Sequence, residues 1–313
     1  MSLHPARALV AVLGVILALL TLAQGAQAAP TGGSGGPLTD RTFQSYTGPS
    51  GVTSRYHVYA AGLDWSREVG LLIYADGSGQ YGLANPDSGY LLGGTNGLVT
   101  VAKRHNMVLL TPLAGGGDCP DGGGPCWHAT SSGITPASKA RWSFELAQHV
   151  KSQYRIETDR VAIGGYSSGA QWATQYFAPM FGSQLMTDGV VVAISYGGPP
   201  NVAASVTPQH QATVAYSWNV GERDAAGARA AQAGYNWYAR NGFTTTQLQI
   251  VPGEDHSRSG QFGAVMDREI TEHVRPALPV GDTPTPPSTP ALTPTSTSTS
   301  GVMLAPAVRS FRP

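Results

Sequence analysis

The sequence predicts an α/β protein with a mostly parallel central sheet and helices on both faces. Two observations predict it. Several short stretches are apolar almost throughout, such as VGLLIYA at 69–75 and MVLLT at 107–111, as buried strands are. Helix-length segments then alternate with further strands from residue 137 onward. Strands separated by helices pair in parallel through right-handed crossovers, which leaves both faces of the sheet to be covered.

Taken in order, residues 54–60 (SRYHVYA) alternate in polarity and read as an exposed early strand, and 69–75 read as a buried one. A helix over 98–105 precedes the strand at 107–111, and a Gly-rich loop follows. The rhythm then becomes regular: a helix within 137–153, a strand at 160–164, a helix from 169 to about 181 and a strand at 190–195. A strand at 213–218, a helix at 225–240, a strand at 247–251 and a closing helix at 263–274 complete it. In such sheets, sites form beyond the carboxyl ends of the strands.

The flanks differ from this body. His4 and Arg7 precede an apolar run at 8–23 and the small-residue site Ala26-Gln27-Ala28. That is the pattern of a secretory signal peptide, with an apolar run too short to span a bilayer, so residues 1–28 are expected to be cleaved on export. Residues 29–37 read as a flexible Gly-rich lead-in and 38–276 as one folded domain. From 277 to 313 the composition turns to Pro, Thr and Ser, which buries too little apolar surface to fold. The 19 Lys and Arg balance the 19 Asp and Glu, and charged residues make up only 12% of the chain. No net field draws the protein to nucleic acid or to an anionic membrane, and no stable membrane anchor is expected.

Cys119 and Cys126 are the only cysteines and share one Gly-rich segment, GDCPDGGGPCWH. In an exported chain a disulfide is the expected state, fixing the segment that carries Trp127 and His128. Two thiols and one histidine lack the paired spacing of a structural zinc site, so no metal is expected.

Gly165-Tyr166-Ser167-Ser168-Gly169 matches G-x-S-x-G, a weak signal by itself in a chain with 40 glycines. Gly32-Gly33-Ser34-Gly35-Gly36 matches it too, in the lead-in. Context separates the two: only Ser167 follows a buried strand and opens a helix, the setting of a nucleophile elbow. A serine hydroxyl needs a base to take its proton and an acid to orient that base. His256 in GEDHS lies just past the last strand, and Asp224 in NVGERD just past the one before, the chain order that such an elbow requires. Glu222 and Asp255 remain alternatives for the acid, and His128 for the base. The Ser168 N–H is expected to donate to an oxyanion, with a second donor from the turn at Gly77 or Ser78 after the first buried strand.

These residues carry a resemblance. The elbow, the stretch SRYHVYAAG, the pair Cys126-Trp127 and the run from Tyr154 to GYSSGAQWA together resemble the α/β-hydrolases. Within them they are similar to secreted esterases of the polyhydroxyalkanoate depolymerase and feruloyl or acetylxylan esterase group. The resemblance implies an α/β-hydrolase fold, an ester substrate, small molecule or polymer, and no cofactor. The family usually has His-Gly where this chain has Asp76-Gly77. Trp127 and Tyr166 are candidates for lining the substrate cleft, whereas Trp172 on the elbow helix reads as core. Two rival readings are a peptidase of the same fold and a non-catalytic binding protein on this scaffold.

Overall fold

A computed structural model describes residues 31–32, 36–120 and 122–280. The chain divides into two units, Met1–Val280 and Gly281–Pro313, and all that follows concerns the first. The expected signal peptide and nearly all of the Pro/Thr/Ser tail lie outside the described residues.

Eight strands form one sheet: β1 (Arg41–Thr47), β2 (Thr53–Tyr59), β3 (Gly70–Ala75), β4 (Met107–Pro112), β5 (Val161–Tyr166), β6 (Gly189–Ile194), β7 (Val214–Gly221) and β8 (Thr246–Val251). Their spatial order is β8-β7-β6-β5-β3-β4-β2-β1. Every pair from β8 to β4 is parallel, whereas β2 runs antiparallel to both β4 and β1. Residues 54–60 are therefore not an exposed strand: β2 is interior, and its last four residues are buried. The strand that covers it, β1, is polar and half-exposed, so no apolar run announces it.

Alternation along the strands builds two cores. Leu71, Ile73 and Ala75 face one layer with Trp142, Leu146 and Val150 of the helix Pro136–Gln153 and Tyr238 of Ala225–Arg240. Leu72 and Tyr74 face the other, with Leu98 and Val101 of Leu98–Arg104 and Met266 and Ile270 of Phe262–His273. Each such side chain contributes about 1.5–3 kcal/mol on burial, so the sheet is held from both sides.

The helix after β5 runs past the expected end near 181. It begins as Ser168–Gln171, widens to a π-helical stretch at Trp172–Phe177, and continues as Ala178–Leu185. The reason is Pro179, which cannot donate an N–H and would collide with the carbonyl four residues back. The wider turn frees the carbonyls of Thr174 and Gln175, which accept from Tyr238 Oη at 2.6 Å and Asn201 N at 2.9 Å.

The domain also extends beyond residue 276. Glu68 N–H donates to Leu278 O at 2.8 Å and Val280 N–H to Ser66 O at 2.7 Å, so 277–280 belong to the folded body. Among the described residues, no helix is long and apolar enough to cross a membrane.

Candidate active site

Ser167 sits between the end of β5 and the first turn of the following helix, at φ 53° and ψ −112°. A non-glycine residue in that conformation stores strain of order 1–3 kcal/mol, so neighbouring contacts must enforce it. They do. Ser167 N–H donates to Ile194 O at 2.9 Å, which fastens the turn to β6. A Cβ on Gly165 would lie 2.3 Å from Gly169 O, and one on Gly169 would lie 2.0 Å from Ala75 O. Both glycines of the motif are thus required for strand, turn and helix to approach so closely. Ser168 follows as the first helical residue, and its N–H has no acceptor among the described residues, as helix starts dictate.

The loops beyond β7 and β8 bring two side chains to this hydroxyl. His256 Nε2 is 2.9 Å from Ser167 Oγ, and His256 Nδ1 is 2.6 Å from Asp224 Oδ2. The other carboxylate oxygen, Oδ1, accepts from Gly227 N–H at 3.0 Å, because Asp224 is the N-cap of the helix Ala225–Arg240. A carboxylate only accepts, so Nδ1 carries the proton and Nε2 faces the serine as acceptor. Asp224 is buried while the His256 side chain is 44% exposed, leaving the imidazole reachable from solvent. The alternatives for the acid are engaged elsewhere: Glu222 Oε2 accepts from Gly253 N–H, and Asp255 Oδ1 from Ser257.

One support was not legible beforehand. Arg258, buried just after His256 with φ 50°, sends Nε to Asn219 Oδ1 in β7 at 2.9 Å. Together with Arg223 N–H to Glu254 O at 2.9 Å, this ties the histidine loop to the strand that leads to Asp224. Nothing in the sequence distinguishes this arginine from a surface one. The cap role of Asp224 had a signal, since an aspartate opening a helix is a preferred N-cap.

The turn after β3 lies against the elbow: a Cβ on Gly77 would fall 2.8 Å from the Tyr166 ring and 3.4 Å from Ser167 Cβ. The two candidate donors part here. Gly77 N–H is taken by Asp76 Oδ1 at 2.8 Å, whereas Ser78 N–H has no acceptor among the described residues and Ser78 is exposed. Gly77 is therefore corrected from donor to spacer, because its amide is already occupied. Gly79 N–H donates to Pro125 O at 2.9 Å, so the ring closed by the Cys119–Cys126 disulfide braces this turn. The disulfide also occupies both sulfurs beside His128, leaving no thiolate pair there.

Trp127 does not line a cleft. It is fully buried, packed on Trp172 with centroids 5.2 Å apart, because the buried Lys139 draws in its loop through Cys126 O, Ala129 O and Ser131 Oγ. Burial lowers the Lys139 ammonium to about 8. Tyr166 is half-buried beside His256 and Phe262, with centroids 5.4 and 4.5 Å away. Trp172 is core, as expected.

No family model and no curated protein matches the chain. Solved structures do. A thermostable esterase superposes with a TM-score of 0.55 at 18% identity, over 74% of this chain and 62% of its own. Poly(aspartic acid) hydrolase-1 from Sphingomonas sp. KT-1 gives 0.51 at 14%, over 74% and 98%. Porphyromonas gingivalis dipeptidyl peptidase 4 gives 0.50 at 10%, over 74% and 35%. This chain thus spans less than two thirds of the esterase and about a third of the peptidase. With the strand order above, these likenesses establish the α/β-hydrolase fold, a scaffold that hosts many unrelated activities.

Proposed function

We propose that the protein is an exported serine hydrolase that cleaves carboxylic esters through an acyl-enzyme, with Ser167 as nucleophile, His256 as base and Asp224 as orienting acid. The observation that carries this reading is the relay from Ser167 Oγ through both ring nitrogens of His256 to Asp224, at 2.9 and 2.6 Å.

In the first step Ser167 Oγ attacks the ester carbonyl carbon while His256 Nε2 takes the hydroxyl proton. Asp224 holds the tautomer and stabilises the imidazolium, and its second oxygen stays anchored on Gly227 N–H. Negative charge on the former carbonyl oxygen is met by the N–H groups of Ser168 and Ser78, worth about 2.7–4 kcal/mol per donor in comparable sites. His256 returns its proton to the leaving alkoxide. Water then attacks the acyl carbon as the same imidazole takes its proton, and that proton passes to Ser167 Oγ as the acyl–Oγ bond breaks and the acid leaves. Every proton is handled by side chains, so the steps call for no cofactor. Tyr166 forms part of the wall beside the imidazole. The esterase among the structural neighbours supports an ester substrate, and the pattern of residues 1–28 supports export.

The test is covalent labelling with a fluorophosphonate probe, comparing wild type with Ser167→Ala and His256→Ala. Labelling of wild type alone is expected; equal labelling of Ser167→Ala removes the assignment. Turnover of short-chain, aryl and polyester substrates against a peptide panel then reads the substrate class. Faster peptide than ester cleavage overturns the ester reading while leaving the nucleophile in place.

A further inference from the structure

Asp76 takes no part in the relay, yet it is a carboxylate only 2% exposed at the carboxyl end of β3, one residue before the spacer Gly77. Its Oδ1 accepts from Gly77 N–H at 2.8 Å and its Oδ2 from Gly82 N–H at 2.9 Å. The two oxygens thereby grip the turn at both ends. Gln80, at φ 50°, fixes the middle by accepting from Ala114 N–H at 2.8 Å, and Gly79 N–H is held by Pro125 O. Within that grip the amides of Ser78 and Tyr81 stay open, and Ser78 is the one that directly follows the spacer Gly77.

No cation pairs with Asp76 among the described residues. The titratable groups around it are the phenols of Tyr74 on its own strand, Tyr166 at the end of β5 and Tyr90 from the loop 85–97, all neutral. Burial raises the carboxyl to about 6, and the backbone N–H groups of Gly77, Gly82 and Leu83 oppose that rise. A neutral asparagine or serine closes a turn without the cost of a buried, unpaired charge. A charge kept at such a cost, next to the nucleophile, has a task that a neutral cap does not perform.

We infer that Asp76 is a positioning residue: while ionised, its carboxylate turns the Gly77 amide inward and presents the Ser78 amide to the carbonyl oxygen above Ser167, completing the oxyanion hole. The inference rests on the hydrolase reading of Ser167. Protonation turns one of the two oxygens into a donor that faces an N–H, so one grip is lost and the turn loosens. Turnover then requires two deprotonated groups, His256 and Asp76.

The experiment measures kcat and KM on a p-nitrophenyl short-chain ester from pH 4.5 to 8, for wild type and the isosteric Asp76→Asn. The variant is expected to lose about 10- to 100-fold in kcat, with KM within about threefold. The acid limb of log kcat/KM is expected to approach a slope of 2 in wild type and 1 in Asp76→Asn. A purely structural cap would lower melting temperature and kcat together and leave the wild-type slope at 1. Wild-type kcat in Asp76→Asn, or a wild-type slope of 1, overturns the inference. If circular dichroism shows that the variant does not fold, the wild-type slope decides alone. Fluorophosphonate labelling of Ser167 separates the two failures: no labelling of wild type sinks the hydrolase reading itself, whereas labelling with a slope of 1 sinks only the role of Asp76.

Discussion

The two ends of the parallel sheet are both rich in charge, and they differ in what their polar groups leave open. At the amino end, Arg160 sends Nε, Nη1 and Nη2 to the carbonyls of Arg275, Glu68 and His105 at 3.1, 2.7 and 2.7 Å. Arg275 pairs with both Glu68 and Asp159, and Glu68 also accepts from Leu278 N–H. This network borders a cavity of about 310 Å³ lined by Arg67, Arg104, His105, Arg160 and Arg275, and it ties residues 275–280 to the segment 66–68 that leads into β3. At the carboxyl end the backbone is strained at Ser167, Ser195 and Arg258, and the amides of Ser78 and Ser168 stay open. Charge and cavity volume therefore do not mark the reactive end. Strain also occurs at the amino end, at Asn106, and open amides at helix starts generally; what marks the reactive end is the strained Ser167 set between the open amides of Ser168 and Ser78.

The largest expected effect belongs to the carboxyl end. Asp224→Asn leaves the cap on Gly227 but presents an N–H₂ or a weaker acceptor to His256 Nδ1, so kcat on an ester should fall about 10⁴-fold with little loss of thermal stability. A loss below tenfold would break the contrast, by making Asp224 an ordinary helix cap. The amino end should answer in the opposite currency. Arg160→Met removes a donor from three carbonyls, of which, among the described residues, only Glu68 O keeps another, from Asn106 Nδ2 at 2.9 Å, and should cost about 2 kcal/mol or more in urea unfolding while kcat/KM stays within about twofold.

Gly227→Ala probes how tightly the acid is held. The new Cβ would come within 2.1 Å of Asp224 Oδ2 and 2.7 Å of Ser195 O, so the carboxylate must shift from His256. We expect kcat to drop about 10- to 100-fold with KM nearly unchanged, in steady-state kinetics on the same ester.

The smallest effect is a difference in the pH dependence of stability. His210, at the amino end before β7, is pushed down to about 4 by burial, partly opposed by a backbone contact with Met186. The unfolded chain takes up that proton near 6.5 and the folded one only near 4, so stability present above 6.5 is lost as pH falls through this window. Asp76 has the opposite sign: the folded chain takes up its proton first, near 6, and stability rises as pH falls from there toward 3.8. Between pH 7 and 5, wild type should lose about 4–8 °C more in melting temperature than His210→Phe. Equal losses would show that His210 contributes no proton-linked stability.

Much of the parallel half was legible because local pattern and tertiary role coincide there. The helix at 225–240 was expected with the bounds it has, since its amphipathic period runs unbroken from the aspartate cap to Arg240. β3, β4 and β6 announce themselves as apolar runs because a sheet covered on both faces buries every side chain. β1 was not legible: RTFQSYT is an edge strand with a mixed face, stabilised by partners rather than by its own pattern. The helix after β5 was expected to end near 181, and its π-helical detour becomes favourable only through packing against Tyr238 and Asn201. Trp127 misled for a related reason, since a Gly-rich segment reads as exposed until a buried lysine gathers its carbonyls inward.

By itself the sequence determined the main strands and helices from β2 to the closing helix, the elbow around Ser167 and the pair of loops that bear Asp224 and His256. These depend on period, glycine geometry and chain order, all of which act over a few neighbouring residues. Only the tertiary structure decided that Asp224 rather than Glu222 or Asp255 meets the imidazole, that Ser78 rather than Gly77 keeps an open amide, and that Trp127 is core. Each of those choices is a competition for hydrogen-bond partners or for space between segments far apart in the chain, and local sequence holds no information about which neighbour arrives first.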